Sequence, residues 1–232
     1  MTIEPIALTT SDGLTLEAEL AWPSGSGPVR GAAVLCHPHP QQGGNMRSIV
    51  PGTLFAELPG AGVAALRFNF RGVGESAGAY DHGVGERLDV VSAIDALAEA
   101  LDARADAGAA VPLILAGWSF GADVCLSVGE PRVAGWFCAA PPLRVVDPTT
   151  MVAATDPRPK LLAIPERDQF RPPDAARPIV ANWPACRIEV VPGADHFFFG
   201  RTDRLTPLFL ELLLAATPAT GTGHPAPGAP AG

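Results

Sequence analysis

The segment from Leu113 to Gly121 constrains the fold more than any other, because an apolar run leads directly into a Gly-x-Ser-x-Gly motif. The apolar run predicts a buried β-strand, and the residues from Ala122 to Val128 predict a helix. A sharp turn must therefore lie at Ser119. Gly117 and Gly121 lack the β-carbons that would collide with the strand and the helix at so close an approach. The pattern predicts a strand-turn-helix unit that lifts the Ser119 hydroxyl out of a sheet.

The rest of the chain alternates between strand and helix patterns. Two alternating segments open it, Ile3 to Thr9 and Leu14 to Trp22, and Ser11-Asp12-Gly13 between them predicts a hairpin turn. From Gly31 onward the alternation predicts an α/β fold, with a mostly parallel central sheet, helices on both faces and the antiparallel hairpin at one edge. The other predicted strands are 32–36, 63–70, 133–139, 160–164 and 187–191, and the other predicted helices are 48–60, 84–103, 174–182 and 205–216.

The composition is that of a globular protein, with 47% hydrophobic and 17% charged residues among 232. A net charge of −8 without a Lys/Arg cluster argues against a nucleic-acid partner. The N-terminus lacks the basic and apolar regions of a signal peptide, and no apolar run approaches the roughly 20 residues that span a bilayer. We therefore expect a cytoplasmic protein without a membrane partner. One domain is predicted over 1–216, followed by a disordered tail rich in Pro, Ala and Gly over 217–232.

The four cysteines are scattered through apolar segments and predict buried thiols: Cys36, Cys125, Cys138 and Cys186. Their spacing does not resemble that of metal ligands. We expect neither a metal nor a cofactor.

A serine hydroxyl is a poor nucleophile at neutral pH unless a base takes its proton. His196 is the best candidate, because it follows a predicted strand through the turn-rich segment Pro192-Gly193-Ala194-Asp195. The carboxyl ends of parallel strands meet at one edge of the sheet, so His196 and Ser119 are expected to lie close together. The other histidines lie in the predicted tail, in a glycine-rich loop or in the loop after Cys36: His224, His82, His37 and His39.

A carboxylate must hold the base in the correct tautomer. Asp168 follows the strand predicted over 160–164 after a short turn, which brings it to the same edge of the sheet as Ser119 and His196. Glu166 is the nearest competitor, and Asp147, one strand earlier, is another candidate. Asp195 is expected to stabilise its turn, since it cannot easily bend back to the ring of its neighbour.

Backbone N–H groups must face the oxygen that becomes negative during acyl transfer. The N–H of Phe120 is one candidate, because it begins the helix after the nucleophile. The second should come from the loop after Cys36, which reads His37-Pro38-His39-Pro40-Gln41-Gln42-Gly43-Gly44. Proline has no N–H, so His39, Gln41 or a later residue must donate, and we choose His39.

These motifs together resemble the α/β-hydrolase superfamily, and within it the small bacterial serine hydrolases related to the dienelactone hydrolase and serine-aminopeptidase-like branches. The resemblance covers about Ile3 to Ala216 and implies Ser119 as nucleophile, His196 as base, Asp168 as acid, and Phe120 and His39 as oxyanion donors. The sequence differs from dienelactone hydrolases in having serine where they use cysteine. The segments that carry the resemblance are His37-Pro38-His39-Pro40 with Gly43-Gly44, Phe68 to Ser76, Gly117 to Gly121, Asp168 and Gly193 to His196.

The resemblance implies a cofactor-free carboxylesterase-like enzyme that cleaves small or medium acyl esters of a small-molecule substrate. A peptidase, thioesterase or acyltransferase of the same fold, or a binding module without activity, is the alternative. Leu143 to Pro157 is too short for a helical lid, so the pocket is predicted to be open. The oligomeric state is left open, a homo-oligomer included. The turn from Arg71 to Ser76 is interpreted as scaffold, and core packing is favoured over substrate contact for Trp118, Phe120, Phe170 and Phe197 to Phe199.

Overall fold

Eight strands form one sheet in the computed structural model, which describes residues 2–24, 27–104 and 111–217. The strand order is β1-β2-β4-β3-β5-β6-β7-β8. β1 and β2 form an antiparallel hairpin, and β2 also pairs antiparallel with β4, whereas the other neighbouring pairs are parallel. The strands are β1 (Thr2–Thr9), β2 (Thr15–Trp22), β3 (Gly31–Cys36), β4 (Val63–Phe68), β5 (Leu113–Trp118), β6 (Val133–Ala139), β7 (Lys160–Pro165) and β8 (Cys186–Val191).

Helices cover both faces of the sheet, because its central strands carry apolar side chains in both directions. β3, β5 and β7 are buried along their whole length. One apolar core lies between the sheet and α2, α3 and α4, and a second lies between the sheet and α1 and α5. The helices are α1 (Ile49–Glu57), α2 (Glu86–Asp102), α3 (Phe120–Leu126), α4 (Pro173–Val180) and α5 (Leu205–Ala216).

The predicted fold class is confirmed, and most predicted boundaries lie within two residues of those observed. The first predicted helix is shorter than expected, because α1 ends at Glu57. A 3₁₀ helix that contains Pro59, Leu58–Ala61, follows it directly. Of the tail predicted over 217–232, only Thr217 is among the described residues. Among the described helices, none has both the length and the apolar composition to cross a bilayer.

The carboxyl ends of the parallel strands open onto short loops. The connection between β6 and β7 contains only two short 3₁₀ helices, Pro148–Thr150 and Val152–Ala154, and no domain is inserted there. Within the described residues this connection therefore forms no lid over the end of β5, as the sequence predicted.

Candidate active site

The chain turns sharply at Ser119, between β5 and α3. Ser119 has a positive φ of 53° and a ψ of −119°, and residues other than glycine rarely adopt a positive φ. A β-carbon on Gly117 would lie 2.4 Å from the carbonyl oxygen of Gly121, and one on Gly121 would lie 2.5 Å from that of His37. Both glycines are thus required by the close approach of α3 to β5 and to the end of β3.

Three side chains that are distant in the sequence meet at this turn. The Oγ of Ser119 lies 3.0 Å from Nε2 of His196. On the other side of the ring, Nδ1 of His196 lies 2.9 Å from Oδ2 of Asp168. The structure therefore brings together the nucleophile, base and acid that the sequence suggested, in one hydrogen-bonded series.

The carboxylate of Asp168 is buried and fixed by backbone donors. Its Oδ1 accepts hydrogen bonds from the N–H groups of Phe170, at 2.8 Å, and Arg171, at 3.0 Å. Oδ2 is left to face His196. His196 is held as well, because the indole N–H of Trp118 donates to its backbone carbonyl oxygen at 3.0 Å. Asp168 and His196 therefore have defined positions.

The competing acids lie elsewhere. Glu166 is exposed and accepts the N–H of Gly193 at 2.7 Å. Asp195 accepts the N–H of Phe197 at 3.0 Å, so it stabilises its own turn as expected. Asp147 caps a 3₁₀ helix.

His37 and His39 have different surroundings although one proline separates them. Nε2 of His37 accepts the N–H of Phe70 at 3.0 Å, so the proton is on Nδ1, which donates to the carbonyl oxygen of Pro38 at 2.6 Å. Burial lowers the pKa of His37 to about 4, so the ring is neutral. It therefore fastens the end of β3 to the segment after β4.

His39 is half-buried at the rim of the site. Its ring packs against Phe120, with the centroids 5.3 Å apart, and burial lowers its pKa. Within residues 2–24, 27–104 and 111–217, no hydrogen bond engages the backbone N–H of either His39 or Phe120. Both donors remain available to a bound group.

A cavity of about 640 Å³ opens above Ser119. Ser119, His196, His39 and Phe120 all line it. Its remaining walls are mainly apolar and aromatic: Pro38, Ile49, Trp118, Pro142, Val145, Phe170, Phe197 and Phe199.

The prediction of core packing holds for three of the six aromatic side chains beside the site. Trp118, Phe120 and Phe198 are buried. For Phe170, Phe197 and Phe199 the prediction was wrong, because these side chains are 39%, 39% and 68% exposed. They follow Asp168 and His196 in loops at the carboxyl ends of the strands, where no lid formed by the described residues packs on them.

The loop after β6 was not predicted to contribute to the site. Asp123, on α3, is buried and accepts the N–H groups of Leu143 at 3.0 Å and of Arg144 and Val145, both at 2.9 Å. Burial nevertheless raises the pKa of Asp123 to about 6. Arg144 and Val145 line the cavity. The one sequence signal was an acidic residue inside the apolar run of α3.

The turn after β4 lies behind the site. Arg71 is buried, and its guanidinium donates to Oδ1 and Oδ2 of Asp89 and also pairs with Asp12 in the hairpin turn. No residue from Arg71 to Ser76 lines the cavity. In the described part of the chain, no three His, Cys, Asp or Glu side chains are grouped as metal ligands would be.

Comparisons with known proteins agree with this architecture. An α/β serine hydrolase homologue from Coxiella burnetii is 31% identical, with a TM-score of 0.78 over 91% of this chain and 97% of that one. XC6422 from Xanthomonas campestris, an α/β serine hydrolase without a lid, is 26% identical, with a TM-score of 0.78 over 95% and 98%. The uncharacterized protein RP471 from Rickettsia prowazekii is 29% identical over 191 residues, 78% of each chain. No family model matches the chain.

Proposed function

The chain belongs to the lidless α/β serine hydrolases, and on that premise we propose that it cleaves small or medium acyl esters through an acyl-enzyme on Ser119. One observation carries the proposal: Ser119, His196 and Asp168 form a continuous hydrogen-bonded series at the base of an open cavity. The members of this series have complementary chemistry, namely a hydroxyl, an imidazole and a carboxylate.

In the first step the Oγ of Ser119 attacks the ester carbonyl carbon while Nε2 of His196 takes the hydroxyl proton. The imidazole becomes positively charged. Because Oδ2 of Asp168 lies 2.9 Å from Nδ1, it stabilises that charge and keeps the proton on Nδ1. Oδ1 cannot compete for the ring, because it already accepts two backbone N–H groups.

The carbonyl oxygen becomes negative as the tetrahedral intermediate forms. The N–H groups of Phe120 and His39 are our candidates for its donors, since both residues line the cavity beside Ser119. The strained backbone of Ser119 supports this assignment, because a sharp turn exposes Oγ next to the first N–H of the following helix.

Collapse of the intermediate breaks the bond to the alcohol oxygen, which takes the proton from Nε2 of His196 and leaves. A water molecule then attacks the acyl-enzyme, again giving its proton to Nε2, and the acid is released as Ser119 regains its hydrogen. The open cavity favours water as the second nucleophile, because no lid among the described residues excludes solvent above β5. Hydrolysis is therefore proposed in preference to acyl transfer.

The dimensions of the site support a small or medium acyl group. A volume of about 640 Å³ is typical of small-molecule pockets, and the aromatic walls provide apolar surface for the acyl chain. Without a lid the cavity cannot enclose a long chain on all sides.

A fluorophosphonate probe and 4-nitrophenyl acetate test the proposal. We expect wild-type protein to be labelled covalently and Ser119→Ala to take no label. Ser48 also lines the cavity, so Ser48→Ala is the matched control and should still be labelled. His196→Ala should fold normally and lose about 10³-fold or more in turnover.

The proposal fails if folded wild-type protein takes no label, or if Ser119→Ala is labelled as fast as wild type. Retained turnover in His196→Ala would assign the base to another residue.

A further inference from the structure

Arg144 is the one permanently charged side chain among the described residues that line the cavity. It lies in the loop after β6, with its guanidinium carbon 5.6 Å from the centroid of the Phe170 ring. Phe170 also packs edge-on against the ring of His196, with the centroids 4.5 Å apart. The cation and the proposed base thus contact the same aromatic side chain.

The guanidinium of Arg144 is available to a ligand. Among residues 2–24, 27–104 and 111–217, no Asp or Glu forms an ion pair with it, whereas Arg67, Arg71 and Arg158 each pair with a carboxylate. The only carboxylate proposed to act at the site, Asp168, is buried behind His196. An anionic group in the cavity would therefore meet one cation in an otherwise acidic protein of net charge −8.

The backbone that carries Arg144 is held in place before a ligand binds. Asp123 accepts three consecutive N–H groups from Leu143 to Val145. The Nε–H of Arg171 donates to the carbonyl oxygen of Pro142 at 2.9 Å. Leu143 has a φ of 49°, a strained value that persists only where surrounding contacts fix it. A fixed loop reduces the entropy lost when its side chain binds a ligand.

We propose that the cavity accepts esters bearing a carboxylate, and that Arg144 binds that carboxylate. A planar guanidinium suits this partner, because it can donate two parallel hydrogen bonds to the two carboxylate oxygens. The inference rests on the proposed ester hydrolysis and narrows its substrate class. The carboxylate belongs either to the acyl half or to the alcohol half of the ester, and matched substrate pairs distinguish the two.

For the acyl half, the pair is the 4-nitrophenyl monoester of adipic acid and its neutral methyl ester. For the alcohol half, the pair is 4-acetoxybenzoate and methyl 4-acetoxybenzoate. We expect wild-type protein to have a higher kcat/KM for the charged member of one pair. In Arg144→Gln the ratio of charged to neutral kcat/KM should fall about 10-fold, the effect of losing one charge-assisted contact.

Two further variants test the chemistry of the contact. Arg144→Lys should restore part of the ratio, because it keeps the charge and loses the two-pronged geometry. Arg177→Gln is the matched control, since Arg177 is an exposed arginine on α4 that does not line the cavity. It changes the net charge equally and should leave the ratio at the wild-type value.

The inference is overturned if wild-type protein prefers the neutral member of both pairs, or if Arg144→Gln leaves the ratio unchanged. A measurement without turnover separates this outcome from failure of the proposed function. Calorimetric titration of Ser119→Ala with the adipate monoester should show binding that the additional Arg144→Gln change weakens about 10-fold. If this binding is observed but wild-type protein is inactive, the proposed ester hydrolysis is refuted and the binding of a carboxylate by Arg144 stands.

Discussion

Two loops flank the turn at Ser119, and they hold their shape by different means. β5 lies between β3 and β6 in the sheet, so the loop after β3 (His37 to Gly44) and the loop after β6 (Ala140 to Val145) stand on opposite sides of Ser119. Each is fastened by one buried ionisable side chain. For the first loop this is the neutral ring of His37, and for the second it is the carboxyl group of Asp123.

The two loops also offer different groups to the cavity. By our proposal the loop after β3 contributes a backbone donor, the N–H of His39, whereas the loop after β6 contributes the side chains of Arg144 and Val145, which line the cavity. A backbone donor serves any ester, because every ester produces the same negative oxygen. A side chain selects among esters by what is attached to the carbonyl group. The loop after β3 is therefore proposed to act in the chemistry of the site, and the loop after β6 in its selectivity.

The largest effect is expected from breaking the loop after β3 at Gly44. A β-carbon there would lie 2.2 Å from the carbonyl oxygen of Pro38 and 2.7 Å from that of His39. Gly44→Ala should therefore displace the backbone that carries the His39 N–H. We expect kcat for 4-nitrophenyl acetate to fall about 10²- to 10³-fold, the usual cost of losing one oxyanion donor.

Gly60→Ala is the control for this substitution, because a β-carbon at Gly60 meets no atom within 4 Å. It should keep wild-type activity. If Gly44→Ala keeps wild-type kcat as well, the donor does not come from this loop, and the assignment of His39 is wrong.

The sequence predicted the loop after β3 better than the loop after β6, for a physical reason. Pro38, Pro40 and Gly44 restrict the backbone locally, so their presence is informative without any knowledge of neighbours. The same holds for Gly117 and Gly121 around Ser119. His196 and Asp168 could be placed because both follow strands, and strand ends of a parallel sheet share one edge.

The role proposed for Arg144 could not be predicted, because it depends on a contact between segments that are far apart in the sequence. Asp123 lies on α3, 20 residues before Leu143, and only the packing of α3 against the end of β6 brings them together. Similarly, His37 and His39 have almost the same local sequence. They differ in that only His37 accepts the N–H of Phe70, a residue that follows the end of β4 and is distant in the sequence.

The next effect is the pH dependence of stability at His37. Burial lowers the pKa of His37 from 6.5 to about 4, so the unfolded chain takes up a proton at a higher pH than the folded protein. Its contribution to the free energy of unfolding is complete above about pH 6.5 and is lost as the pH falls toward 4. At about 1.4 kcal/mol per pH unit, the loss is about 3 kcal/mol.

Urea unfolding of wild-type protein and His37→Gln between pH 4 and pH 7 measures this contribution. Subtracting the two curves removes the other titrating groups, so the stability advantage of wild-type protein should shrink as the pH falls. An advantage that is constant over this range would mean that His37 is not the group that titrates.

The effect at Asp123 should have the opposite sign in the same pH range. Burial raises the pKa of Asp123 from 3.8 to about 6, so here the folded protein takes up the proton first. The contribution of Asp123 is complete below about pH 4 and is lost as the pH rises through 6. At about 1.4 kcal/mol per pH unit, its size is again about 3 kcal/mol.

Asp123→Asn compared with wild-type protein over the same pH range therefore tests whether the two loops differ as described. The stability advantage of wild-type protein over Asp123→Asn should shrink as the pH rises, whereas the advantage over His37→Gln should grow. Because the two ranges overlap, the contributions partly cancel in wild-type protein, and only the single variants reveal them. If both stability differences change in the same direction with pH, ionisation of the buried Asp123 carboxyl group does not destabilise the folded protein. The loop after β6 is then held in another way.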